Sequence, residues 1–230
     1  MLELRNLNAW YGESHVLHGV NMEIPKGKVV SLLGRNGAGK STTMRAIMGL
    51  MDRTEGEILH EGVNLLRLRP NHIARRGIAI CPEDRGIFPS LSVIENLMLP
   101  PVIAPGGMSL DKIYKLFPNI LERAQSRGTE LSGGEQQMLA IARILRTGAT
   151  ILLLDEPTEG LAPVIVQQIA GTIAEIKELG HTILLIEQNA HFVKGLADIH
   201  YLMENGVIVD RIEDHEFAGQ MDRVDRLLGV

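Results

Sequence analysis

The 230-residue sequence predicts an α/β fold built on a parallel sheet sandwiched by helices, and three observations predict it. Three short, almost purely apolar runs stand out at residues 29–33, 151–154 and 182–186, and continuous rather than alternating apolarity belongs to strands covered on both faces. Each run is followed at once by a residue that carries chemistry: Gly34, Asp155 and Glu187. The chemistry therefore gathers at the carboxyl ends of the strands, where open α/β sheets hold ligands. Between the last two runs Ile165, Ile169, Thr172, Ile173 and Ile176 recur at helical spacing, with Gly180 just past them as a C-cap, which makes a strand, helix, strand unit.

The other elements follow in chain order. The opening MLELRNLNAW carries Glu3 and Arg5 early and no apolar h-region, so no signal peptide is expected. Residues 2–7 and 16–24 alternate apolar with polar and are separated by Tyr11-Gly12, which predicts a small antiparallel layer. A helix is expected over residues 42–50. Pro100, Pro101, Pro105, Gly106 and Gly107 punctuate a linker, and a short helix over 111–116 should stop before Pro118. Residues 86–135 read as an inserted, mostly helical subdomain, with 1–85 and 136–230 as the core of a single domain, and a further helix spans about 135–146. No internal repeat, low-complexity tract or heptad run is evident.

Composition narrows the function classes. Hydrophobic residues at 45% and charged residues at 22% fit a packed globular core and exclude disordered and fibrous chains. A net charge of −5 argues against a surface that coats nucleic acid or anionic lipid, and 3% aromatic residues disfavour base stacking. Cys81 stands alone, so no disulfide forms within the chain and no thiolate cage is available; the cytoplasm is the expected compartment. No run of 18 apolar residues occurs.

Three motifs carry the chemistry. Residues 34–41, Gly-Arg-Asn-Gly-Ala-Gly-Lys-Ser, fit the G-x-x-x-x-G-K-[ST] phosphate loop between an apolar strand and a helix. Gly34, Gly37 and Gly39 let the backbone curl so that its N–H groups and the helix start, with Asn36 and Thr42 beside them, face phosphate oxygens. Lys40 neutralises the β and γ phosphates and the Ser41 hydroxyl ligates Mg²⁺. Residues 151–156, Ile-Leu-Leu-Leu-Asp-Glu, supply the acidic partner: Asp155 for the Mg²⁺ shell, Glu156 to orient or deprotonate an attacking water. Residues 131–137, Leu-Ser-Gly-Gly-Glu-Gln-Gln, open a helix with Ser132, Gly133 and Gly134 and form a second backbone anion site, one that a single nucleotide in the same chain does not require.

With these motifs in this order the chain resembles the ATP-binding cassette family over essentially its whole length: LSGGEQQ matches the signature, GRNGAGKS the Walker A and ILLLDE the Walker B element. The resemblance implies a P-loop NTPase with a RecA-like core, an antiparallel β N-terminal layer and an inserted α-helical subdomain. It implies ATP and Mg²⁺ as ligands, and a head-to-tail dimer in which Lys40 of one subunit and Ser132 of the other enclose the same ATP. Tyr11 sits where the family places an aromatic that stacks on adenine; a tyrosine packed at a turn between strands is the other reading.

Two departures narrow the subfamily. Cys81-Pro82-Glu83 stands where most cassettes have Gln after Pro, and Glu187-Gln188-Asn189 where most have the switch His. Glu83 is then tolerable near a γ-phosphate chiefly if it faces Mg²⁺ or its water, and Gln188 becomes a fixed donor that never gains charge. Together with Arg85, IFPSLSVIENL, DEPTEGLAP and IEQNA, the pattern looks like the second ATP-binding subunit of bacterial importers for branched-chain amino acids; cassettes for urea and short-chain amides are similar. The resemblance implies a homologous ATPase partner, as a heterodimer or in isolation a homodimer, two integral membrane permease subunits, an indirect link to a periplasmic binding protein, no nucleic acid, and a peripheral place on the cytoplasmic face of the inner membrane. A soluble cassette ATPase is the rival, marked by a coiled-coil insertion or second cassette that the sequence lacks. Arg67, Arg69, Arg75 and Arg76 read as a solvated face or as a contact for lipid headgroups or a permease loop. Eight histidines show no metal spacing, and Cys81 reads as a packed thiol.

Overall fold

In the computed structural model, which describes residues 1–229, the alternating amino-terminal residues form a hairpin of β1 (Leu2–Tyr11) and β2 (Ser14–Ile24). β1 runs past residue 7 because register shifts between Leu4 and Leu7 and again before Trp10, with Asn6 at φ +47°, break the alternation without ending the strand. Next come β3 (Val29–Leu33), α1 (Lys40–Ile47), β4 (Arg53–His60), β5 (Val63–Asn64), α2 (Pro70–Ala74) and β6 (Ile78–Cys81). α1 begins and ends before the expected 42–50: Thr43 N–H already bonds Gly39 O at 2.9 Å, and Gly49 follows the helix as a stop. α3 (Val93–Met98), α4 (Leu110–Leu116) and α5 (Pro118–Glu122) follow; Pro118 both halts α4 and opens α5, since a first helical position needs no N–H partner.

α6 (Gly133–Arg146) starts two residues before the expected 135. Ser132 caps it in a reciprocal box, its Oγ accepting Glu135 N–H at 3.3 Å while Glu135 Oε2 accepts Ser132 N–H at 2.7 Å. The chain finishes with β7 (Ile151–Asp155), α7 (Pro163–Glu178), β8 (Thr182–Glu187), α8 (Ala190–Val193), β9 (Ile199–Glu204), β10 (Val207–Glu213), α9 (Asp214–Phe217) and α10 (Met221–Leu228). Gly180 lies just past α7 at φ +89°, as a C-cap should.

β2-β1-β4-β5 make an antiparallel sheet, and β10-β9-β3-β8-β7-β6 a second sheet of six strands. β9, β3, β8, β7 and β6 run parallel, as the three apolar runs among them predict, and β10 is an antiparallel edge strand: the tight turn at Asn205-Gly206 cannot return the chain in the same direction. Both faces are covered. Val30, Leu32, Leu153, Leu184 and Ile186 face α1 and the antiparallel sheet, whereas Val29, Leu33, Leu152, Leu154, Ile183 and Leu185 face α6 and α7. Two-sided burial is why the runs show no alternation, and each such side chain contributes about 1.5–3 kcal/mol.

Residues 86–135 contribute α3, α4 and α5, and Val93, Leu97, Ile113, Phe117 and Ile120 join one buried cluster with Leu139, Leu152 and Leu154. The boundary drawn at 135/136 falls inside α6. For the site, strand order matters most: β3, β8, β7 and β6 are neighbours, so the loops after Leu33, Glu187, Asp155 and Cys81 open side by side.

Candidate functional site

The loop after β3 is shaped by what cannot fit. A Cβ on Gly34 would lie 2.5 Å from Met203 O, and Gly39 holds φ +109° where a Cβ would lie 2.9 Å from Leu17 Cδ2. Side chains are excluded at both positions, which keeps the backbone curled tightly into α1. Lys40 is 4% exposed. Its Nζ donates to Gly34 O at 2.8 Å and Arg35 O at 3.0 Å and pairs with Glu156 Oε1 at 3.1 Å, so all three of its donors are used.

Ser41, on the first turn of α1, donates its hydroxyl to Asp155 Oδ1 at 3.1 Å. Burial pushes Asp155 up to about 6, opposed by the Ser41 donor and reinforced by the charges of Glu156 and Glu83. Glu83 lines a cleft of about 670 Å³ with Ser41 and Asp155, and a second cleft of about 300 Å³ with Asn36, Gly37, Gly39, Lys40, Thr42 and Glu156. A hydroxyl and two carboxylates on one cleft are hard oxygen donors that suit Mg²⁺, which takes few protein ligands and completes its octahedron with water and phosphate. Among the described residues no three His, Cys, Asp or Glu side chains converge as a metal cage.

Glu156 is the hub of this group. Gln188 Nε2 donates to Glu156 Oε2 at 2.8 Å and to Asn36 Oδ1 at 2.7 Å. Burial opposes ionisation of Glu156, but hydrogen bonds from the Glu159 carboxyl, Gln188 and Lys40 outweigh it and hold its carboxyl below the ordinary range. Glu159 takes the other side of that pairing: sharing a proton with Glu156, and burial, push it up to about 7. An anionic carboxylate beside a lysine, with an amide donor fixing its orientation, can accept a proton from a water held near phosphate.

Asn36, Gly37, Gly39, Lys40, Ser41, Thr42, Glu83, Asp155 and Glu156 thus line two clefts that share Ser41 and Glu83, and Gln188 bonds to Asn36 and Glu156 beside them. Two sequence-predicted groups lie apart. Tyr11, at the end of β1 and 40% exposed, has the Arg45 guanidinium 6.0 Å from its ring. Ser132, with Gly133 and Gly134 at the start of α6, makes no hydrogen bond to the phosphate-loop group among the described residues.

Several contacts between neighbours escaped sequence reasoning. Arg85, at φ +63°, donates to Gln136 Oε1 at 3.2 Å and Gln137 Oε1 at 3.3 Å, tying the Glu83 loop to α6; no local spacing announces that pairing. Thr158 and Glu187 bond to each other behind Glu156. Ser31, His200 and Asp214 form a serine, histidine, carboxylate chain with steps of 2.8 and 3.1 Å. Ser31 and His200 are fully buried and His200 stacks on Phe217, so this chain pins β3 to β9 and α9 rather than serving a nucleophile. Cys81 is packed as expected, with burial pushing its thiol up to about 12. Arg67, Arg69, Arg75 and Arg76 are exposed and cluster before β6 begins, away from the Glu83 end of that strand.

A family model described as ABC transporter matches residues 17–159, more than half of the chain. The chain is 43% identical over 218 residues to the high-affinity branched-chain amino acid transport ATP-binding protein BraG of Pseudomonas aeruginosa, covering 91% of each. It is 35% identical over 210 residues to a probable branched-chain amino acid transport ATP-binding protein, LivF, of Archaeoglobus fulgidus, covering 90% of this chain and 89% of that one. Its fold superposes with a TM-score of 0.84 on the ADP conformation of MJ1267, an ATP-binding cassette of an ABC transporter, at 27% identity over 99% of this chain and 97% of the other.

Proposed function

The chain belongs to the ABC transporter family as an ATP-binding, ATP-hydrolysing importer subunit, and we propose that it powers uptake of branched-chain amino acids. One observation carries the reading of the site: Lys40, Ser41, Asp155, Glu156 and Gln188 converge from the ends of three neighbouring strands, with links of 2.8–3.1 Å between them. In this reading Gly34, Asn36, Gly37, Gly39 and Thr42 cradle the phosphates of ATP through backbone N–H groups and the start of α1. Lys40 neutralises the β and γ phosphates, and Tyr11 stacks on adenine. Ser41, Asp155 and Glu83 would hold Mg²⁺, which when bound would supply neutralisation of the phosphate charge. Glu156 accepts the proton of the attacking water, and Gln188 keeps that carboxylate aimed while offering a donor toward the γ-phosphate.

Cassettes of this family work as dimers together with membrane permease components. For this chain we infer a head-to-tail pairing, with a related ATPase or a second copy, in which Ser132, Gly133 and Gly134 of one subunit close over the ATP held by Lys40 of the other. Two permease subunits would carry the pair on the cytoplasmic face of the inner membrane, and a periplasmic binding protein would deliver cargo to them. In the described residues no helix is long and apolar enough to cross a membrane, which agrees with a peripheral place.

Glu156→Gln tests the site. The amide keeps one acceptor for Lys40 and loses the base, so Mg-ATP should bind, hydrolysis should fall by about 100-fold or more, and an ATP-dependent dimer should accumulate on sizing. Turnover at the wild-type rate removes Glu156 as the base. Uptake of labelled leucine by proteoliposomes holding the complete transporter tests the cargo, and transport of urea or a short amide in its place redirects it.

A further inference from the structure

Glu187, the last residue of β8, is 3% exposed and is absorbed by none of the roles above. A buried carboxyl needs its lone pairs filled. Its Oε1 accepts Thr158 Oγ1 at 2.7 Å and Thr158 N–H at 3.3 Å, and the backbone N–H of Gln188 also donates to the carboxyl. Thr158 stands two residues after Glu156, and Glu156 has φ +44°, a left-handed backbone that a residue with a Cβ seldom adopts. Such a conformation persists where the surroundings over-determine it.

The end of β8 does this residue by residue. Ile186 O accepts Glu156 N–H at 3.0 Å, Glu187 takes both donors of Thr158, and Gln188 bonds the Glu156 carboxylate. Ile186 and Glu187 at the end of β8, and Gln188 just after it, therefore hold in turn the backbone N–H of the proposed base, the threonine two residues beyond it, and its side chain. A carboxyl suits the middle position because it accepts two donors through a single oxygen and reaches from the strand end to the turn. An alanine there leaves the N–H and hydroxyl of Thr158 without an acceptor inside a dry turn.

We propose that Glu187 is a positioning residue for ATP hydrolysis, clamping Thr158 so that Glu156 stays in its left-handed conformation and in register with Gln188. The proposal rests on the reading of Glu156 as the base. The acceptor oxygen, rather than the charge, is what the clamp uses: burial and the Glu156 charge push Glu187 up to about 7, so its neutral form is already populated near neutral pH.

Steady-state ATPase kinetics of the full chain, in its assembled complex where ATPase depends on partners, supply the test. Glu187→Ala and Thr158→Val should each lower kcat about tenfold or more while leaving the KM for ATP within about twofold, and Glu187→Gln should restore kcat to within about threefold of wild type. Thr158→Val keeps the branched shape and removes only the hydroxyl donor, so a clamp effect remains readable even where Glu187→Ala fails to fold. Wild-type kcat in Glu187→Ala, or in Thr158→Val where the alanine variant does not fold, overturns the clamp, as does a kcat loss in Glu187→Gln as deep as that of Glu187→Ala. Glu156→Gln in the same assay separates the two ideas: if it hydrolyses normally the base assignment falls, whereas an inactive Glu156→Gln beside a fully active Glu187→Ala sinks the clamp alone.

Discussion

Replacing Lys40 by Met should destabilise the nucleotide-free protein more than replacing Glu156 by Gln, even though the two residues are partners. Both side chains are nearly inaccessible and 3.1 Å apart, so the pair lies in the regime where removing one charge strands the other. Without Lys40, Glu156 keeps the Gln188 donor and the proton of Glu159 but loses its counter-charge, and such stranding costs about 3 kcal/mol, the lower end of the usual 3–5. With Glu156→Gln, Lys40 still donates to Gly34 O and Arg35 O and gains an amide carbonyl as its third acceptor, a loss of about 1 kcal/mol. For a chain of this length each kcal/mol moves Tm by about 2–4 °C, so Lys40→Met should melt about 6–12 °C below wild type. With a coupling of about 2 kcal/mol, the double variant should lie about 2 kcal/mol below wild type and so recover about a third of the Lys40→Met loss. Thermal melts followed by circular dichroism without nucleotide measure all four corners of the cycle. A Lys40→Met variant no less stable than Glu156→Gln, or simple additivity in the double, would falsify the buried-pair account.

Three further outcomes are expected. Gln188→Ala should lower kcat about tenfold or more with little change in the KM for ATP, whereas Gln188→His, which keeps a donor, should retain activity; an alanine variant as fast as wild type removes the role. Ser132→Arg should leave ATP binding by the monomer intact and abolish hydrolysis, and because Ser132 caps α6 it should also cost about 1 kcal/mol in urea denaturation; loss of monomer ATP binding counts against a site shared between subunits. Burial lowers His200 below its ordinary 6.5, so the folded state binds that proton less readily than the unfolded chain, and this residue's contribution to stability is complete above pH 6.5 and is lost as pH falls below it. Urea midpoints from pH 7.5 to 5 should therefore decline less steeply in His200→Gln than in wild type, and parallel slopes would show that His200 does not titrate between the two states.

The motifs were legible because each packs its chemistry into adjacent residues. Lys40-Ser41 and Asp155-Glu156 each follow a strand whose double-sided apolarity is visible without any knowledge of its neighbours. The contacts that organise them were not. Thr158 meets Glu187 across 29 residues, and Ser31 meets His200 across 169, so neither pairing leaves a local spacing to read. β10 was missed as an antiparallel edge because direction depends on the length of a turn, and α6 began early because Ser132 and Glu135 trade hydrogen bonds that outweigh the poor helix propensity of two glycines. Extended apolar stretches declare an element, whereas single polar residues decide where it starts, which way it runs and what it touches.

The continuous cluster joining α3, α4 and α5 to α6 and the central strands sets a rule for anyone building chimeras between cassettes. Phe117 and Ile120 share their buried surroundings with Leu139, Leu152 and Leu154, so a cut at residues 86 and 135 would not follow a natural seam. A transplanted segment would arrive without the helix it was shaped against, and the recipient's α6 would show its apolar flank to water. Grafts of this helical segment between cassettes should carry residues 86–146 as one unit, and donor pairs should be chosen for matching side-chain volume under α6 before any attention is given to the exposed surface.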